Sequence, residues 1–347
     1  MAREKVLTTM PADDGDNKHD AALRPKLLKE VIGQRKVAER LEIAVRASKK
    51  LNEPLGHILF DGPPGLGKTT FATVLPNELG TGIQMTSGPA LSKPADLLPF
   101  LTNLDEGSVL FIDEIHRMPR IVEEFIYPAM EDFRIDIVLG EGMSARTISM
   151  NLKRFTLIGA TTRSGMLSGP MRDRFKMHEH LEFYSVEELA TIVRVNAAKL
   201  NTPISAEATL ELARRSRGTP RVANSRLHWT RSYAAAQADG AITEPVAKAA
   251  LDMAEVDRDG LDKNDRKYLE TLIDLYAGGP TGVEALAATI NLASDTLSDE
   301  IEPYLLREQY ITRSPRGRVA MPRAYTALGK VQPRPKPDDR GAGSLFE

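Results

Sequence analysis

The stretch DGPPGLGKTT, residues 61–70, decides the fold. Its spacing matches G-x-x-x-x-G-K-[ST], the signature of a phosphate-binding loop between a strand and a helix. Glycines such as Gly65 allow backbone conformations that are closed to other residues, so several N–H groups can point at one anion. We therefore expect Lys68 to reach the β- and γ-phosphates of ATP and Thr69 to hold Mg²⁺. An apolar run before the loop and a helical pattern after it favour this reading over an ordinary Gly/Pro turn.

Length and composition limit the possible classes of protein. The chain has 347 residues, a formal net charge of −2 and no cysteine. It is long enough for two or three domains, and a nucleic-acid site must be a local patch because the whole chain is not basic. Disulfides and thiol catalysis are excluded. The N-terminus lacks the apolar core of a secretory signal, and no run of about 18 apolar residues exists, so we expect a soluble cytoplasmic protein.

The pattern along the chain predicts three domains between two disordered tails. Apolar runs at 57–60, 109–112 and 155–160 indicate buried parallel strands, separated by helical stretches, which is typical of a doubly wound α/β sheet. A purely helical pattern then predicts a four-helix lid, and the order helix, helix, helix, hairpin predicts a winged helix. The predicted boundaries are a tail at 1–20, an α/β domain at 21–184, a lid at 185–258, a winged helix at 259–328 and a tail at 329–347. Pro76 falls inside the helix after the phosphate loop and should kink or end it.

Polar residues follow two of the predicted strands. Asp113 and Glu114 end the strand VLFI, beside the phosphate loop at the carboxyl edge of the sheet. We expect Asp113 to hold the hydration shell of Mg²⁺ and Glu114 to polarise the attacking water. DEIH at 113–116 also matches a box of another helicase class, but the lid features argue against that class. Thr162 is the preferred sensor of the γ-phosphate, with Thr161 as the alternative.

Two arginines complete the predicted ATPase site. Arg174, in RDRF, cannot easily reach the nucleotide of its own chain but could reach that of a neighbour in a ring, where such an arginine stabilises the transition state. The alternative is an ion pair with Asp173 or another acid. Arg221, in RGTPR, lies at the start of a lid helix and would point at the phosphates. Its alternative is a surface arginine.

The sequence of the C-terminal domain predicts contact with the DNA backbone. Its third helix, about 295–308, is acidic and unsuited to the major groove, and its apolar stripe, Leu297, Ile301 and Leu305, is expected in the core. Basic residues cluster at the following hairpin: Arg313, Arg316, Arg318 and Arg323. Phosphate contacts read no sequence, so binding should be sequence-neutral. A merely solvated basic hairpin is the alternative.

Together these residues resemble the RuvB family of AAA+ motors, which drive branch migration of Holliday junctions. The resemblance covers about 20–328, and its most specific motifs are YPAMEDF at 127–133 and SRGTPR at 216–221, with LIGATTR at 157–163 and RSPRGRVA at 313–320. It implies an α/β P-loop AAA+ ATPase core with an all-helical lid and a C-terminal winged helix. Lys176, where the family usually has glycine, and the segment 291–300 depart from the family pattern.

The resemblance also implies residue roles and partners. Residues implied to contact the nucleotide or Mg²⁺ are Leu23, Arg24, Gly65, Lys68, Thr69, Thr70, Glu131, Asp132, Phe133, Arg174, Tyr184 and Arg221. Residues implied to contact DNA are Arg313, Arg318 and Arg316. The implied partners are a four-way DNA junction, a homo-hexameric ring, a RuvC-type resolvase and RuvA, which would dock on a hairpin at 134–150. That hairpin has one apolar face, which could instead pack on the protein's own core.

Two other classes share parts of this pattern. A clamp-loader-like AAA+ switch would use the same ATP residues without translocation. A winged-helix regulator could bind ATP only to assemble, although the presence of Glu114 argues against it.

Overall fold

The computed structural model of the chain describes residues 23–139 and 146–332. These residues divide into two compact units. The first extends to Ala254 and includes Arg258–Gly260, and the second comprises Glu255–Asp257 and the chain from Leu261 onward. The predicted tail at 1–20, the tip of the predicted hairpin at 140–145 and residues 333–347 lie outside the described residues.

The first part of unit 1 alternates strands and helices. Its helices are α1 Arg35–Leu51, α2 Lys68–Leu79, α3 Pro94–Thr102, α4 Arg120–Glu131 and α5 Gly169–Asp173. Its strands are β1 Ile58–Asp61, β2 Ile83–Ser87, β3 Val109–Asp113, β4 Arg134–Leu139, β5 Arg146–Asn151, β6 Thr156–Thr161 and β7 Met177–His180. Five of them form a parallel sheet in the order β2–β3–β6–β1–β7. The predicted α/β fold is confirmed.

The three strands predicted from apolar runs are the central strands of this sheet. β3 and β6 are buried almost throughout, as is β1 up to Phe60, because both faces of the sheet are covered. The outer strands β2 and β7 were not predicted. Their sequences, IQMTS and MHEH, are polar because each lies at an edge and is only partly covered.

The parallel arrangement brings the ends of β1, β3 and β6 to one edge of the sheet. Asp61 of β1 is in register with Thr161 of β6, and the phosphate loop follows Asp61 directly. Ligands of open α/β sheets bind at this carboxyl edge. The fold therefore places the loop, Asp113 and Thr161 together.

Of the two effects predicted for Pro76, a kink or an end of its helix, the end is ruled out. Helix α2 continues to Leu79 and stops at Gly80, which takes the left-handed conformation with φ of 73°. Pro76 occupies the last turn, so the hydrogen bond that it cannot make is lost near the helix end, while its buried ring still packs in the core.

The predicted hairpin at 134–150 is present, and its apolar face is divided. β4 and β5 pair antiparallel, with Ile135 opposite Met150 and Ile137 opposite Ile148. Ile135 is buried, and Ile137 and Met150 pack partly against the core of unit 1. Ile148 is 50% exposed. One part of this face thus belongs to the core and another part faces outward.

Four helices complete unit 1, as the sequence predicted. They are α6 Val186–Lys199, α7 Ala206–Arg214, α8 Pro220–Gln237 and α9 Glu244–Met253. Ser185 and Glu188 form a capping box that starts α6, since each side chain accepts the backbone N–H of the other residue.

Unit 2 has the predicted winged-helix order. Its elements are α10 Lys263–Glu270, which continues as the π-helical turn Thr271–Leu275, α11 Val283–Ile290, α12 Ser294–Thr296, the π-helical turn Leu297–Ile301, α13 Glu302–Arg307, β8 Ile311–Ser314, β9 Gly317–Ala320 and α14 Pro322–Ala327. The stripe Leu297, Ile301 and Leu305 is buried, which confirms its core assignment. Glu302, one of the acids that make the third helix acidic, is also fully buried. None of the described helices is long and apolar enough to cross a membrane.

Candidate functional site

The phosphate loop connects β1 to α2 in a conformation that needs glycine. Gly62 has φ of 133°, and a Cβ atom there would lie 2.5 Å from the carbonyl oxygen of Leu181. Gly65 has φ of 77°, and a Cβ atom would meet the Thr219 side chain at 2.7 Å. The loop is therefore pressed against the start of lid helix α8, and no side chain fits at either position.

Lys68 begins α2 and is almost buried beneath the loop. Its Nζ donates to the carbonyl oxygens of Gly62 at 2.7 Å and Pro63 at 2.9 Å. Burial lowers the pKa of Lys68 to about 8, although the carboxylates of Asp113 and Glu114 oppose that shift. A phosphate beside Nζ would favour the charged amine.

The two acids at the end of β3 face the same pocket. The pocket is lined by Arg24, Pro64, Gly65, Gly67, Lys68, Thr69, Thr70, Asp113, Glu114, Pro220, Arg221 and Asn224. Asp113 accepts the backbone N–H of Glu114 at 2.9 Å through one carboxylate oxygen. A threonine hydroxyl and a carboxylate are hard oxygen donors of the kind that Mg²⁺ takes beside substrate phosphates. Thr69 and Asp113 therefore fit a magnesium ion.

Glu114 is held by neighbours from two elements. Its backbone has φ of 46°, and its Oε2 accepts from the hydroxyl of Thr162 at 3.3 Å. Nδ1 of the buried His116 lies 3.4 Å from the same oxygen and 2.9 Å from the Thr161 hydroxyl. Of the two threonines, Thr162 thus reaches the acid that lines the pocket, while Thr161 is fully buried.

A second cavity continues from the phosphate pocket and shares Arg24 and Thr70 with it. Leu23 and Tyr184 line it. The Tyr184 hydroxyl donates to the carbonyl oxygen of Leu66 at 3.2 Å, and burial raises the pKa of this phenol. Val31, Ile32 and Phe71 also line it, and such apolar walls suit a nucleobase.

Lid residue Arg221 reaches the phosphate pocket, as predicted. Its backbone N–H donates to the carbonyl oxygen of Gly65 at 3.4 Å, and its charge contributes to lowering the pKa of Lys68. Lid and loop are therefore in direct contact within unit 1, so a tilt of α8 would move Arg221 relative to the phosphates.

Arg174 and the residues Glu131, Asp132 and Phe133 lie away from the phosphate pocket. Glu131, Phe133 and Arg174 line a separate cavity of about 470 Å³ with Asp173. Arg174 pairs with Glu131 at 3.1 Å, which is the predicted alternative of an intramolecular ion pair, though not with Asp173. Asp132 is exposed and lies 3.8 Å from Arg134. None of these four residues lines the phosphate pocket.

Two wing arginines of unit 2 converge on one buried acid. Arg313 donates to Oε2 of Glu302 at 3.0 and 2.6 Å, and Arg318 donates to Oε1 at 2.8 Å and to Oε2 at 3.1 Å. The hydroxyl of Tyr268 donates to Oε1 at 3.0 Å. The side chain of Arg318 is only 17% exposed, that of Arg313 is 49% exposed, and Arg316 is exposed at the turn. The three arginines predicted to contact DNA therefore differ in exposure and in whether an acid already binds them.

Comparison with known proteins agrees with this architecture. Three protein-family models match in order: the Holliday junction DNA helicase RuvB P-loop domain at 23–181, the RuvB AAA lid domain at 184–257 and the RuvB C-terminal winged helix domain at 258–329. The chain belongs to the RuvB family. RuvB of Rhodopirellula baltica, a Holliday junction branch migration complex subunit, is 56% identical over 314 residues, which is 90% of this chain and 86% of that protein.

Solved RuvB structures share the fold. The Thermotoga maritima RuvB Holliday junction branch migration motor is 43% identical with a TM-score of 0.82, covering 90% of this chain and 100% of that one. A mutant of the same protein is 44% identical with a TM-score of 0.84, covering 90% and 99%. The predicted RuvB resemblance, the fold class and the ATPase class are thereby confirmed.

Three residues of this RuvB chain that contact predicted site residues were missed. His116 lay within the DEIH box, so a signal existed, but its contact with Glu114 could not be read from four letters. Tyr127 opened the family-specific motif and lies against Arg174. Glu302 counted only as one acid of an acidic helix, because nothing in the neighbouring sequence marks its burial.

Proposed function

We propose that the chain is the ATP-driven motor of a homo-hexameric ring that moves Holliday junctions together with RuvA. Its membership of the RuvB family makes it a branch-migration ATPase subunit. The observation that carries the detailed proposal is one pocket lined by Lys68, Asp113 and Glu114 of the α/β part and by Arg221 of the lid. A proposed division at 21–184, 185–258 and 259–328 assigns these parts to core, lid and winged helix.

Within the pocket, each residue has a distinct task. Lys68 binds the β- and γ-phosphates, for which it has to become charged. Thr69 and Asp113 hold Mg²⁺, which when bound neutralises phosphate charge. Glu114 orients and polarises the attacking water, and Thr162, through its hydrogen bond to Glu114, couples that acid to the γ-phosphate. Gly65 and Thr70 bind phosphates, while Leu23, Arg24 and Tyr184 hold the adenosine.

The remaining ATPase residues act across subunits. Arg174, together with Glu131, Asp132 and Phe133, contacts the nucleotide of the neighbouring subunit. An arginine supplied in this way contributes roughly 10³–10⁵ in rate. The placement of these residues away from the chain's own phosphate pocket supports the proposal.

The motor does work on DNA because its residues make different contacts in the ATP state and in the ADP state. Arg221 contacts the phosphates of bound ATP and loses part of that contact after hydrolysis. Hydrolysis therefore changes the preferred angle of the lid. The wing grips the duplex backbone without reading sequence, through Arg316 with the half-exposed Arg313, while Arg318, bound to Glu302, supports the wing from behind. RuvA docks on the hairpin 134–150, where the half-exposed Ile148 supplies an apolar contact, and a RuvC-type resolvase joins the complex.

The test is ATP-dependent dissociation of a synthetic four-way DNA junction in the presence of RuvA. Wild type is compared with Glu114→Gln and with Glu42→Gln, a control that makes the same chemical change at an exposed pair with Arg46. We expect junction movement with wild type and the control, and none with Glu114→Gln. ATP turnover by wild type without junction movement would favour a clamp-loader-like switch. Sequence-selective DNA binding without turnover would favour an ATP-assembled regulator.

A further inference from the structure

Arg174 is held firmly although it lies at the end of a short helix. It follows α5, and its side chain is only 20% exposed. One terminal nitrogen donates to the carbonyl oxygen of Pro170 at 2.7 Å, and the other lies 3.1 Å from Glu131. The guanidinium carbon lies 4.0 Å from the centre of the Tyr127 ring. Among the described residues, Nε has no hydrogen-bond partner.

The contact with Tyr127 differs in kind from the contact with Glu131. A guanidinium group donates only along its edges, in its own plane. A carboxylate occupies those edges and competes with a phosphate for them. An aromatic ring attracts the cation through the flat face and leaves the edges available. Tyr127 can therefore fix the direction of Arg174 without using any of its donors. Pro170 and Glu131 each engage one terminal nitrogen, and each of these nitrogens carries a second N–H that a phosphate could accept.

Tyr127 is itself fixed to the helix that ends in Arg174. Its hydroxyl donates to Oε1 of Glu123 at 2.7 Å and lies 3.1 Å from the Ser168 hydroxyl. Ser168 also bonds Glu123, and its oxygen caps α5 by accepting the N–H of Met171 at 3.2 Å. Glu123 is buried. A phenol is protonated at neutral pH, and burial raises the pKa of Tyr127 further, so its hydroxyl is a donor. One hydrogen-bonded cluster thus ties the ring on α4 to the start of α5.

We propose that Tyr127 is a positioning residue for Arg174, presenting its guanidinium edge-first to the nucleotide of the neighbouring subunit. This inference rests on the proposed function, in which Arg174 acts across the subunit boundary. Since Tyr127 does not line the phosphate pocket of its own chain, its loss should impair hydrolysis by the neighbour and leave its own nucleotide binding intact.

The first measurement is the steady-state ATPase of Tyr127→Leu, Tyr127→Phe and Tyr233→Leu in the full chain. Tyr127→Leu removes the aromatic face, and we expect kcat to fall about 100-fold, as for a catalytic group displaced by about 1 Å, with KM for ATP changed less than about twofold. Tyr127→Phe keeps the face and should lose less than about fivefold. The control Tyr233→Leu removes a partly buried lid tyrosine, and we expect it to change kcat less than about twofold. If Tyr127→Leu does not bind a fluorescent ATP analogue, Tyr127→Met is used in its place.

The second measurement separates this inference from the proposed function. Tyr127→Leu is mixed with Glu114→Gln, which keeps Arg174 but cannot hydrolyse ATP, and a parallel mixture uses Arg174→Ala. We expect both mixtures to exceed either component alone at least tenfold, because Glu114→Gln subunits supply a well-placed arginine to intact sites. Rescue of Arg174→Ala but not of Tyr127→Leu would overturn the role of Tyr127. Failure of both mixtures would instead overturn the action of Arg174 across the boundary, and near-normal kcat of Tyr127→Leu alone would also refute the inference.

Discussion

Replacing Glu302 by glutamine removes a buried charge that holds two wing arginines and a tyrosine. The amide keeps one acceptor oxygen but turns the other into a donor that faces guanidinium N–H groups. Breaking a buried ion pair costs about 3–5 kcal/mol, and the half-exposed Arg313 can turn to water, so we expect unit 2 to lose about 2–4 kcal/mol. Arg318, which is only 17% exposed, carries most of this loss.

Hydrogen exchange of the full chain measures this loss locally. A loss of about 2–4 kcal/mol accelerates exchange of the most protected amides of unit 2 roughly 30- to 1,000-fold, while peptides of the α/β sheet keep their rates. The matched control is Glu308→Gln, since Glu308 pairs with Arg323 at 2.8 Å and with Arg307 at 2.9 Å in partly exposed positions. It should cost less than about 1 kcal/mol. Equal acceleration by the two variants would refute the reasoning, because burial of Glu302 would then have no energetic consequence.

Three further predictions follow from charges in the structure. Because the pKa of Lys68 is about 8 and a phosphate restores its charge, nucleotide binding at pH 8 should take up protons, and the affinity for nucleotide should fall at higher pH. Calorimetry in buffers of different ionisation enthalpy should show this proton uptake for wild type and not for Lys68→Arg. Arg316→Ala should make the negative slope of log K against log salt for duplex DNA shallower by about 0.9, whereas Arg318→Ala should leave that slope nearly unchanged. Equal slopes for the two variants would contradict the assignment. Burial lowers the pKa of His57 below 6.5, so the folded state binds fewer protons than the unfolded state, and the free energy of unfolding should fall as pH drops below 6.5. Urea unfolding at pH 7.5 and 5.5 should show a smaller pH dependence for His57→Phe, and an undiminished dependence would place the acid sensitivity elsewhere.

The acid sensitivity expected of His57 follows from its two hydrogen bonds. Its Nδ1 accepts the backbone N–H of Leu157 at 2.8 Å, so its Nε2 must carry the proton that is donated to the carbonyl oxygen of Met130 at 2.9 Å. Protonation of Nδ1 would break the first bond inside the core. Nothing in the sequence marks this arrangement, since His57 lies at the start of the apolar run 57–60, directly before β1.

Local patterns were enough to predict the architecture of the chain. The phosphate-loop spacing, the three apolar runs and the helical periodicity of the lid each arise from contacts between neighbours in the sequence or from burial of a whole element. They predicted the central strands, the four lid helices, the winged-helix order and the residues that line the phosphate pocket. The edge strands β2 and β7 were not predicted, because a strand that is only partly covered by other elements does not need an apolar run.

The sequence by itself thus determined the family, the sheet that carries the phosphate loop and the residues that meet at its edge. Only the tertiary structure decided which charged side chains are buried in ion pairs and which are exposed. Glu302 looks like a surface acid until Arg313 and Arg318 fold over it, and Arg174 looks like an exposed helix end until the Tyr127 ring, 47 residues earlier, packs beneath it. The physical reason is that burial and ion pairing depend on elements that packing alone brings together, whereas periodicity and loop chemistry are set by residues a few positions apart.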